Sequence, residues 1–464
     1  MNRNLILCTD SYKTSHYLQY PPGTDALFSY VEARSKGLGK DLTVFFGLQA
    51  ILKEYLAWPI TFHDIEQAEI VCKLHGVPFN TMGWLRILKE HNGYMPVRIR
   101  AVPEGTVVPT GNVLMTVEST DPELPWVGSF LETLLLRVWY PTTVATRSYL
   151  AKQVIKAALE KSADNLDGLP FKLHDFGARG VSSGESAALG GMGHLVNFMG
   201  TDTMEALLAA QEFYDCDMAG FSIPAAEHST ITSWGRGPGN EVDAYRNMIK
   251  QYGKPGAIYA VVSDSYNIYN AVDLQWGVAL HDEVVASGAT LVIRPDSGDP
   301  VTLLPELARI IEKRFGCTTN SKGYKVFNHV RMIQGDGIDS PERINAILNF
   351  FMAAGYSADN LAFGMGGGLL QKCDRDTFSF AMKCSAARVN GEWRDVYKDP
   401  VGDSGKKSKK GMLDLIQYED GTFKTVRENE IDIECGPDSA LHVVYENGQF
   451  FNETTLDEIR KRTA

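Results

Sequence analysis

The stretch Leu291-Val292-Ile293-Arg294-Pro295-Asp296-Ser297-Gly298 is an apolar run that ends abruptly in charge and glycine, and a helical pattern, Leu303–Phe315, follows it. That order is the grammar of a βα unit: a strand, a polar loop at its C-terminal end, then a helix. Working outward, the same grammar recurs at Lys172–Phe176, Asn197–Asp202, Phe221–His228, Ile258–Asp264, Met332–Asp336 and Leu361–Gly366, with Pro341–Ala354 another intervening helix. Seven such units predict an irregular, closed or nearly closed α/β barrel over residues 167–380. Residues 1–166 mix helical periodicity with short strands at Val97–Ala101, Thr106–Val108 and Val113–Val117. Residues 381–464 return to short strands, with hairpin signals at Asn390-Gly391, Asp420-Gly421 and Asn447-Gly448 and a terminal helix over Leu456–Arg462. The two ends are expected to form one discontinuous α+β domain flanking the barrel.

The 464 residues carry 45 Lys and Arg against 57 Asp and Glu, a formal net charge of −12. Such a chain repels a nucleic-acid backbone and anionic lipid, so neither is an expected partner, and any anionic substrate needs a local basic site. Cys8, Cys72, Cys216, Cys317, Cys373, Cys384 and Cys435 are scattered and never form a C-x-x-C pair, which argues against a disulfide framework and structural zinc. Residues 1–13 lack a basic start followed by a sustained apolar stretch, and the apolar segment Trp126–Tyr140 is broken by Glu132 and Arg137, so a cytoplasmic location without a membrane span is expected. No P-loop, dinucleotide fingerprint after a first strand, or nucleophile elbow is present, which excludes P-loop kinases, Rossmann dehydrogenases and serine hydrolases.

In a parallel barrel the strand C-termini converge on one face, and active sites form there. Asp175, Arg179, Asp202, Glu227, His228, Asp264, Arg294, Asp296 and Asp336 all fall at or just after expected strand ends. Burying so many charges without a ligand is costly. Arg294 and Asp296 lie two residues apart, on one side of an extended strand. They suit either a ligand that needs both a donor and an acceptor, or an internal ion pair that steadies the turn. His228, between Glu227 and the hydroxyls of Ser229 and Thr230, reads either as a capped structural histidine or as a general base or phosphate acceptor. The glycine run ending in Gly366-Gly367-Gly368 is either a tight turn or a backbone cradle for phosphate. Asp264, Asp296 and Asp336 are the expected contacts for Mg²⁺, partly through water because that ion keeps its hydration. The patch Lys406-Lys407-Ser408-Lys409-Lys410 is a solvated loop or a mobile phosphate clamp.

Taken together and in order, Thr9-Asp10-Ser11-Tyr12-Lys13, Tyr20-Pro21-Pro22, Trp139–Thr146, His174-Asp175-Phe176-Gly177, Gly200-Thr201-Asp202-Thr203, Pro224–Thr230, Ser263-Asp264-Ser265-Tyr266, Arg294–Gly298, Gln334-Gly335-Asp336-Gly337 and Gly366–Lys372 resemble the nicotinamide phosphoribosyltransferases, within the type II phosphoribosyltransferase family. The resemblance covers almost the whole chain. It implies a homodimer with shared active sites that converts nicotinamide and phosphoribosyl pyrophosphate to nicotinamide mononucleotide and pyrophosphate with Mg²⁺, stimulated by ATP through a phosphohistidine. By the same resemblance Phe176 and the partner subunit's Tyr12 sandwich the base, with Asp10 nearby. Asp202 accepts from the amide NH₂ and Arg294 donates to the amide oxygen. Arg179, Gly335, Asp336, Gly366, Gly367 and Arg375, with Arg34 and Lys383 from the flanking domain and Lys398 and Lys406 from the basic loop, hold phosphates and ribose. His228 is the phosphorylated residue, with Glu227 its expected orienting neighbour, and Asp264 and Asp296 complete the reacting centre.

Ala178, Ala260 and Met365 depart from animal members of the family, which carry Tyr, Ser and Ser there, so pocket-edge contacts are expected to differ. Two other readings stand beside this one. A nicotinate phosphoribosyltransferase would share fold and donor, but Asp202 would repel its carboxylate substrate. A barrel-type binding or signalling protein without turnover would gain nothing from the charged set His228, Arg294 and Asp296.

Overall fold

Six parallel strands build the barrel: β1 (Leu173–Asp175), β2 (Gly200–Thr201), β3 (Ile258–Val262), β4 (Thr290–Arg294), β5 (Val330–Gln334) and β6 (Leu361–Met365), hydrogen-bonded in the order β2-β1-β6-β5-β4-β3. The computed structural model of the chain describes residues 4–400, 407–428 and 438–464. The seventh expected stave, at Phe221, closes the ring as an extended segment rather than a regular strand. Thr201 N–H donates to Phe221 O at 3.1 Å on one side, and on the other Ala260 N–H donates to Pro224 O at 2.9 Å and Ala226 N–H to Ala260 O at 3.0 Å. Pro224 has no N–H to give, which keeps this stave to isolated bridges.

Side chains alternate along every strand. Leu173, Tyr259, Val261, Leu291, Ile293, Leu361 and Phe363 point outward and are almost fully buried. Helices Pro300–Phe315 and Pro341–Ala353 supply part of the cover, with Leu304, Leu307, Ile311, Ile344 and Phe351 inaccessible to solvent. Both begin with Pro at the first helical position, where its missing N–H costs nothing, and the Ser340 side chain caps the second by accepting from Arg343 N–H. Each aliphatic side chain buried in this layer contributes about 1.5–3 kcal/mol.

The chain divides into two units: Met1–Thr146 with Ala209–Cys216 and Cys373–Ala464, and Arg147–Leu208 with Asp217–Lys372. The barrel unit thus starts inside helix Trp139–Ser162 rather than at residue 167, because Arg147 donates to the carbonyls of Gly368, Leu369 and Lys372. It ends at Lys372 rather than 380. The excursion 209–216 was not foreseen: Tyr214 stacks on Phe46 and its hydroxyl donates to the buried Glu104 at 2.8 Å.

The other unit is built on a seven-stranded antiparallel sheet in the order Glu392–Asp395, Ala381–Val389, Thr24–Glu32, Val113–Ser119, Val97–Ala101, His442–Glu446, Gln449–Phe450. N- and C-terminal segments interleave in it. Two of the expected hairpins connect its strands: Asn390 and Gly391 have φ of 53° and 80°, and Asn447 and Gly448 have 50° and 89°, the left-handed pair that a two-residue turn requires. Asp420-Gly421 joins the separate pair Leu413–Gln417 and Phe423–Arg427. Among the described residues no helix is long and apolar enough to cross a membrane.

Candidate active site

The inward positions of the barrel strands mix the small Ala260, Ala362 and Gly364 and several polar side chains with Ile258, Val292 and Ile333, and the interior holds a channel of about 560 Å³. Ala225, Ala260, Ala362, Ile223 and Val292 form its apolar wall. Phe176, His174, Asp202, Ser222 and Arg294 line it toward the strand C-termini. Lys172, Arg331 and Asp359 line it at the opposite end, where Lys172 Nζ is 3.0 Å and Arg331 Nη2 3.8 Å from the Asp359 carboxylate. Ala260 lies on the wall, as expected of a position that shapes the pocket. Met365 does not: it is fully buried on the outward face, alternating with the inward Ala362 and Gly364, and only its carbonyl reaches the site side, accepting from Phe176 N–H at 3.0 Å.

The Phe176 ring lies directly over Gly364, where an added Cβ would come within 2.0 Å of the ring. The Arg294 guanidinium carbon stands 5.8 Å from the ring centroid. Arg294 Nε and Nη2 donate to the two Asp296 oxygens at 3.1 and 2.9 Å, so the internal ion pair forms and also leaves Nη1 without a partner among the described residues. Gly335 packs against this group, its Cβ position 3.3 Å from Phe176 and 3.5 Å from Asp296. On the neighbouring strands Asp202 Oδ1 accepts from both His174 Nε2 at 2.9 Å and Ser222 Oγ at 2.6 Å. Its Oδ2 has no partner among the described residues. Burial alone would raise the Asp202 carboxyl, but the bonds from His174 and Ser222, with the nearby Arg294 charge, outweigh that and hold it below the usual carboxylate range. The channel thus holds an aromatic face, an unpaired acceptor and an unpaired donor, a set able to receive a flat ring that offers a donor and an acceptor of its own.

A second group gathers on Asp264, whose side chain is 4% exposed. Its Oδ1 accepts from His228 Nε2 at 3.1 Å, and its Oδ2 accepts from Asp296 N–H at 3.0 Å and Ser297 Oγ at 2.5 Å. His228 is the first residue of the short helix His228–Thr232 and its ring is 46% exposed. Glu227, expected to orient it, instead accepts from Ser229, so Asp264 is the carboxylate that fixes the ring. Asp175, counted among the loaded strand ends, faces outward and is buried, accepting from Gly177 N–H at 2.7 Å; burial raises its carboxyl above the usual range. It anchors the turn that carries Arg179. That turn runs beside the glycine loop, with Gly367 3.5 Å from a Cβ built on Gly180, and Gly366 caps the single helical turn Gly367–Leu370. Arg179 and Asp336 are exposed.

Among the described residues no cluster of three or more His, Cys, Asp or Glu forms that could hold a metal. Asp264 has both oxygens engaged and Asp296 has both on Arg294, so these two of the expected set Asp264, Asp296 and Asp336 would meet a Mg²⁺ through its water shell.

Residues 171–448 match the model of the nicotinate phosphoribosyltransferase family, and residues 4–99 match that of the nicotinamide phosphoribosyltransferase N-terminal domain. The chain belongs to the nicotinate phosphoribosyltransferase family. It is 59% identical over 460 residues to the nicotinamide phosphoribosyltransferase of Xanthomonas campestris pv. campestris, covering 98% of this chain and 97% of that one. It is 33% identical over 498 residues to the nicotinamide phosphoribosyltransferase of Acinetobacter baylyi, covering 99% and 97%. Among solved structures, nicotinate-nucleotide pyrophosphorylase from Pyrococcus furiosus superposes with a TM-score of 0.62 at 16% identity over 100% of this chain and 95% of that one. Human nicotinic acid phosphoribosyltransferase gives 0.59 at 17% over 98% and 92%. At these identities the two structures show the shared fold alone.

The remaining expected residues of this phosphoribosyltransferase lie in the unit built on the antiparallel sheet. Arg34 Nε donates to Ser379 O at 3.0 Å and Arg375 Nη1 to Phe380 O at 2.9 Å, which places both arginines around one turn. Burial pushes the Lys383 ammonium down, and Arg34, Lys398 and Lys13 add to that against the opposing Glu132, so four cations share one neighbourhood. Tyr12 is 57% exposed and Asp10 accepts from Thr133 Oγ1 at 2.7 Å. Lys406 lies outside the described residues. Sequence reasoning missed His174 and Ser222 as partners of Asp202. The signal present was the period of two that sends His174, on β1, and Phe176, just past its end, to the same side of the chain.

Proposed function

We propose that the protein transfers the phosphoribosyl group of phosphoribosyl pyrophosphate to the ring nitrogen of nicotinamide, releasing pyrophosphate and forming nicotinamide mononucleotide for NAD salvage in the cytoplasm. The observation that carries this reading is the pair of unpaired atoms beside Phe176: Asp202 Oδ2 to accept from the amide NH₂ and Arg294 Nη1 to donate to the amide oxygen. A carboxylate substrate would bring negative charge against Asp202, which favours the amide over nicotinate. The family relatives named for nicotinamide support the same choice.

Breaking the bond between ribose C1 and pyrophosphate builds positive charge on the sugar and negative charge on the leaving group. Catalysis then rests on positioning and on electrostatic support of both. Arg179 and the Gly366-Gly367 backbone are the barrel's phosphate holders in this proposal, and Asp336 reads the ribose. Mg²⁺ bound to the diphosphate would offset the charge of the leaving group, and Asp264, Asp296 and Asp336 would meet it through its water shell. A homodimer completes the site, with Tyr12 and Asp10 of the partner subunit closing over the base and the cations Arg34, Arg375, Lys383, Lys398 and Lys406 holding phosphate.

ATP stimulates turnover through His228. Because Asp264 can only accept, His228 Nε2 carries the proton and Nδ1 holds the lone pair. Nδ1 attacks the γ-phosphorus of ATP, ADP leaves, and water later releases the phosphoryl group as phosphate. The deciding experiment is turnover by the purified protein with phosphoribosyl pyrophosphate and either nicotinamide or nicotinate, with and without ATP. Mononucleotide formed from nicotinamide at much the higher kcat/KM supports the reading; nicotinate preference or no product overturns it.

A further inference from the structure

Resting on that reading, we propose that His174 and Ser222 are specificity-determining positioning residues: they hold one oxygen of Asp202 so that only the other is presented to the base. Two donors from different staves, His174 on β1 and Ser222 on the Pro224 segment, converge on the same atom, Oδ1, at 2.9 and 2.6 Å. A carboxylate carrying two such bonds on one oxygen cannot rotate without breaking both, so Oδ2 stays turned to the channel. The imidazole is itself held. Its ring meets the Phe176 ring at a centroid distance of 5.1 Å, and its Nδ1 edge lies against Gly200, where a Cβ would come within 2.6 Å. Nδ1 has no hydrogen-bond partner among the described residues, and the carboxylate can only accept, so the proton sits on Nε2 and is donated to Asp202. The consequence is directional. Asp202 offers the base one acceptor and no donor, which suits an amide NH₂ and refuses a carboxylate.

The test uses the full-length protein and four variants: His174→Phe, which keeps ring bulk and removes the donor; His174→Gln, which keeps an N–H at similar reach; Ser222→Ala; and the His174→Phe/Ser222→Ala double. Steady-state constants are measured for nicotinamide, nicotinate and phosphoribosyl pyrophosphate. Loss of either donor to the charged oxygen is expected to raise KM for nicotinamide about tenfold and to lower the nicotinamide-to-nicotinate ratio of kcat/KM by a similar factor. KM for phosphoribosyl pyrophosphate should stay within about twofold, and His174→Gln should recover most of the loss. The double variant should fall well short of the product of the single effects, because both bonds hold one atom. Unchanged selectivity in His174→Phe and Ser222→Ala overturns the proposal, as does a His174→Gln variant no better than His174→Phe. If His174→Phe does not fold, Ser222→Ala decides alone. Wild-type protein that fails to use nicotinamide sinks the functional reading and this proposal together, whereas wild-type turnover with unmoved variants sinks this proposal alone.

Discussion

Replacing Asp202 by Asn changes one atom at the point where amide and acid substrates differ. Asn Oδ1 can still accept from His174 Nε2 and Ser222 Oγ, which fixes the side chain in the native orientation, so Nδ2 takes the place of Oδ2 and the unpaired acceptor becomes a donor. For nicotinamide the loss is a hydrogen bond to a charged oxygen, about 1.5–3 kcal/mol. For nicotinate the gain is removal of a like charge. Two carboxylates about 4 Å apart repel by about 4 kcal/mol at an effective dielectric of about 20, and the half-exposed setting of Asp202 with Arg294 close by reduces this to about 2 kcal/mol. The sum, about 3.5–5 kcal/mol, moves the nicotinamide-to-nicotinate ratio of kcat/KM about 300- to 4,000-fold toward the acid. The assay is parallel turnover with the two bases at fixed phosphoribosyl pyrophosphate. Asp202→Ser should move selectivity in the same direction but less far, since it removes the charge without placing a held donor. A ratio within threefold of wild type in Asp202→Asn would refute the assignment of Oδ2 as the amide reader.

His228→Ala is expected to abolish stimulation by ATP while nicotinamide affinity holds within about threefold; equal stimulation in variant and wild type, read as product formed with and without ATP, removes the phosphohistidine. Gly364→Ala puts a methyl 2.0 Å from Cε2 of Phe176, so the ring must leave its place over the strand. The expected result is a KM for nicotinamide raised at least about tenfold with a stability loss of about 1–3 kcal/mol by denaturant titration, and normal kinetics would show the ring position to be irrelevant. In the other unit, Asp121 accepts from Arg86 and His91, and although burial opposes it these bonds bring its carboxyl down to about 2. A folded value below the unfolded one, about 3.9, means stabilisation present above that pH and lost as pH falls toward 2. With Arg86 partly exposed the amount is about 1 kcal/mol, so Asp121→Asn should flatten acid unfolding between about pH 4 and 2, and identical acid curves for the two proteins would contradict the pairing.

What the sequence made legible follows from periodicity. Strand ends at Asp264, Arg294 and Gly366 could be placed because an apolar run that stops on charge needs no tertiary information, and the Asn390-Gly391 and Asn447-Gly448 turns because only such pairs accept two positive φ values. Partnerships across strands were not legible. Glu227 is adjacent to His228 in the chain, yet the helix start turns its carboxylate to Ser229, and the residue that reaches His228 is Asp264, 36 positions away. The pairing of Asp202 with His174 and Ser222 likewise exists only once β1, β2 and the Pro224 segment are neighbours in the closed ring. Met365 is a different case. Alternation along Ala362, Phe363, Gly364 and Met365 is by itself sufficient to send it outward, away from the pocket edge where the family comparison had set it.

The same alternation accounts for why this barrel has a channel at all. Outward positions carry Tyr259, Leu291, Ile293 and Phe363, which the helices cover, while the corresponding inward positions carry Ala260, Val292 and Ala362. A barrel of this strand number ordinarily fills its interior with inward side chains. Ala260 and Ala362, on the staves either side of β4 and β5, help to leave instead a void wide enough for a ring, and the large inward ring of Phe176 is accommodated because Gly364 and Gly335 beside it lack side chains. Stability and function are therefore divided between the two faces of each strand: the outward set holds the fold, and the inward set is free to omit bulk. On this argument Ala260→Leu, which adds volume to the void from the wall cluster that Phe176 packs against and leaves the polar atoms of Asp202 and Arg294 in place, keeps the thermal midpoint within a few degrees and closes the channel to the base, and an unaltered KM for nicotinamide in that variant would mean that the base does not use the channel.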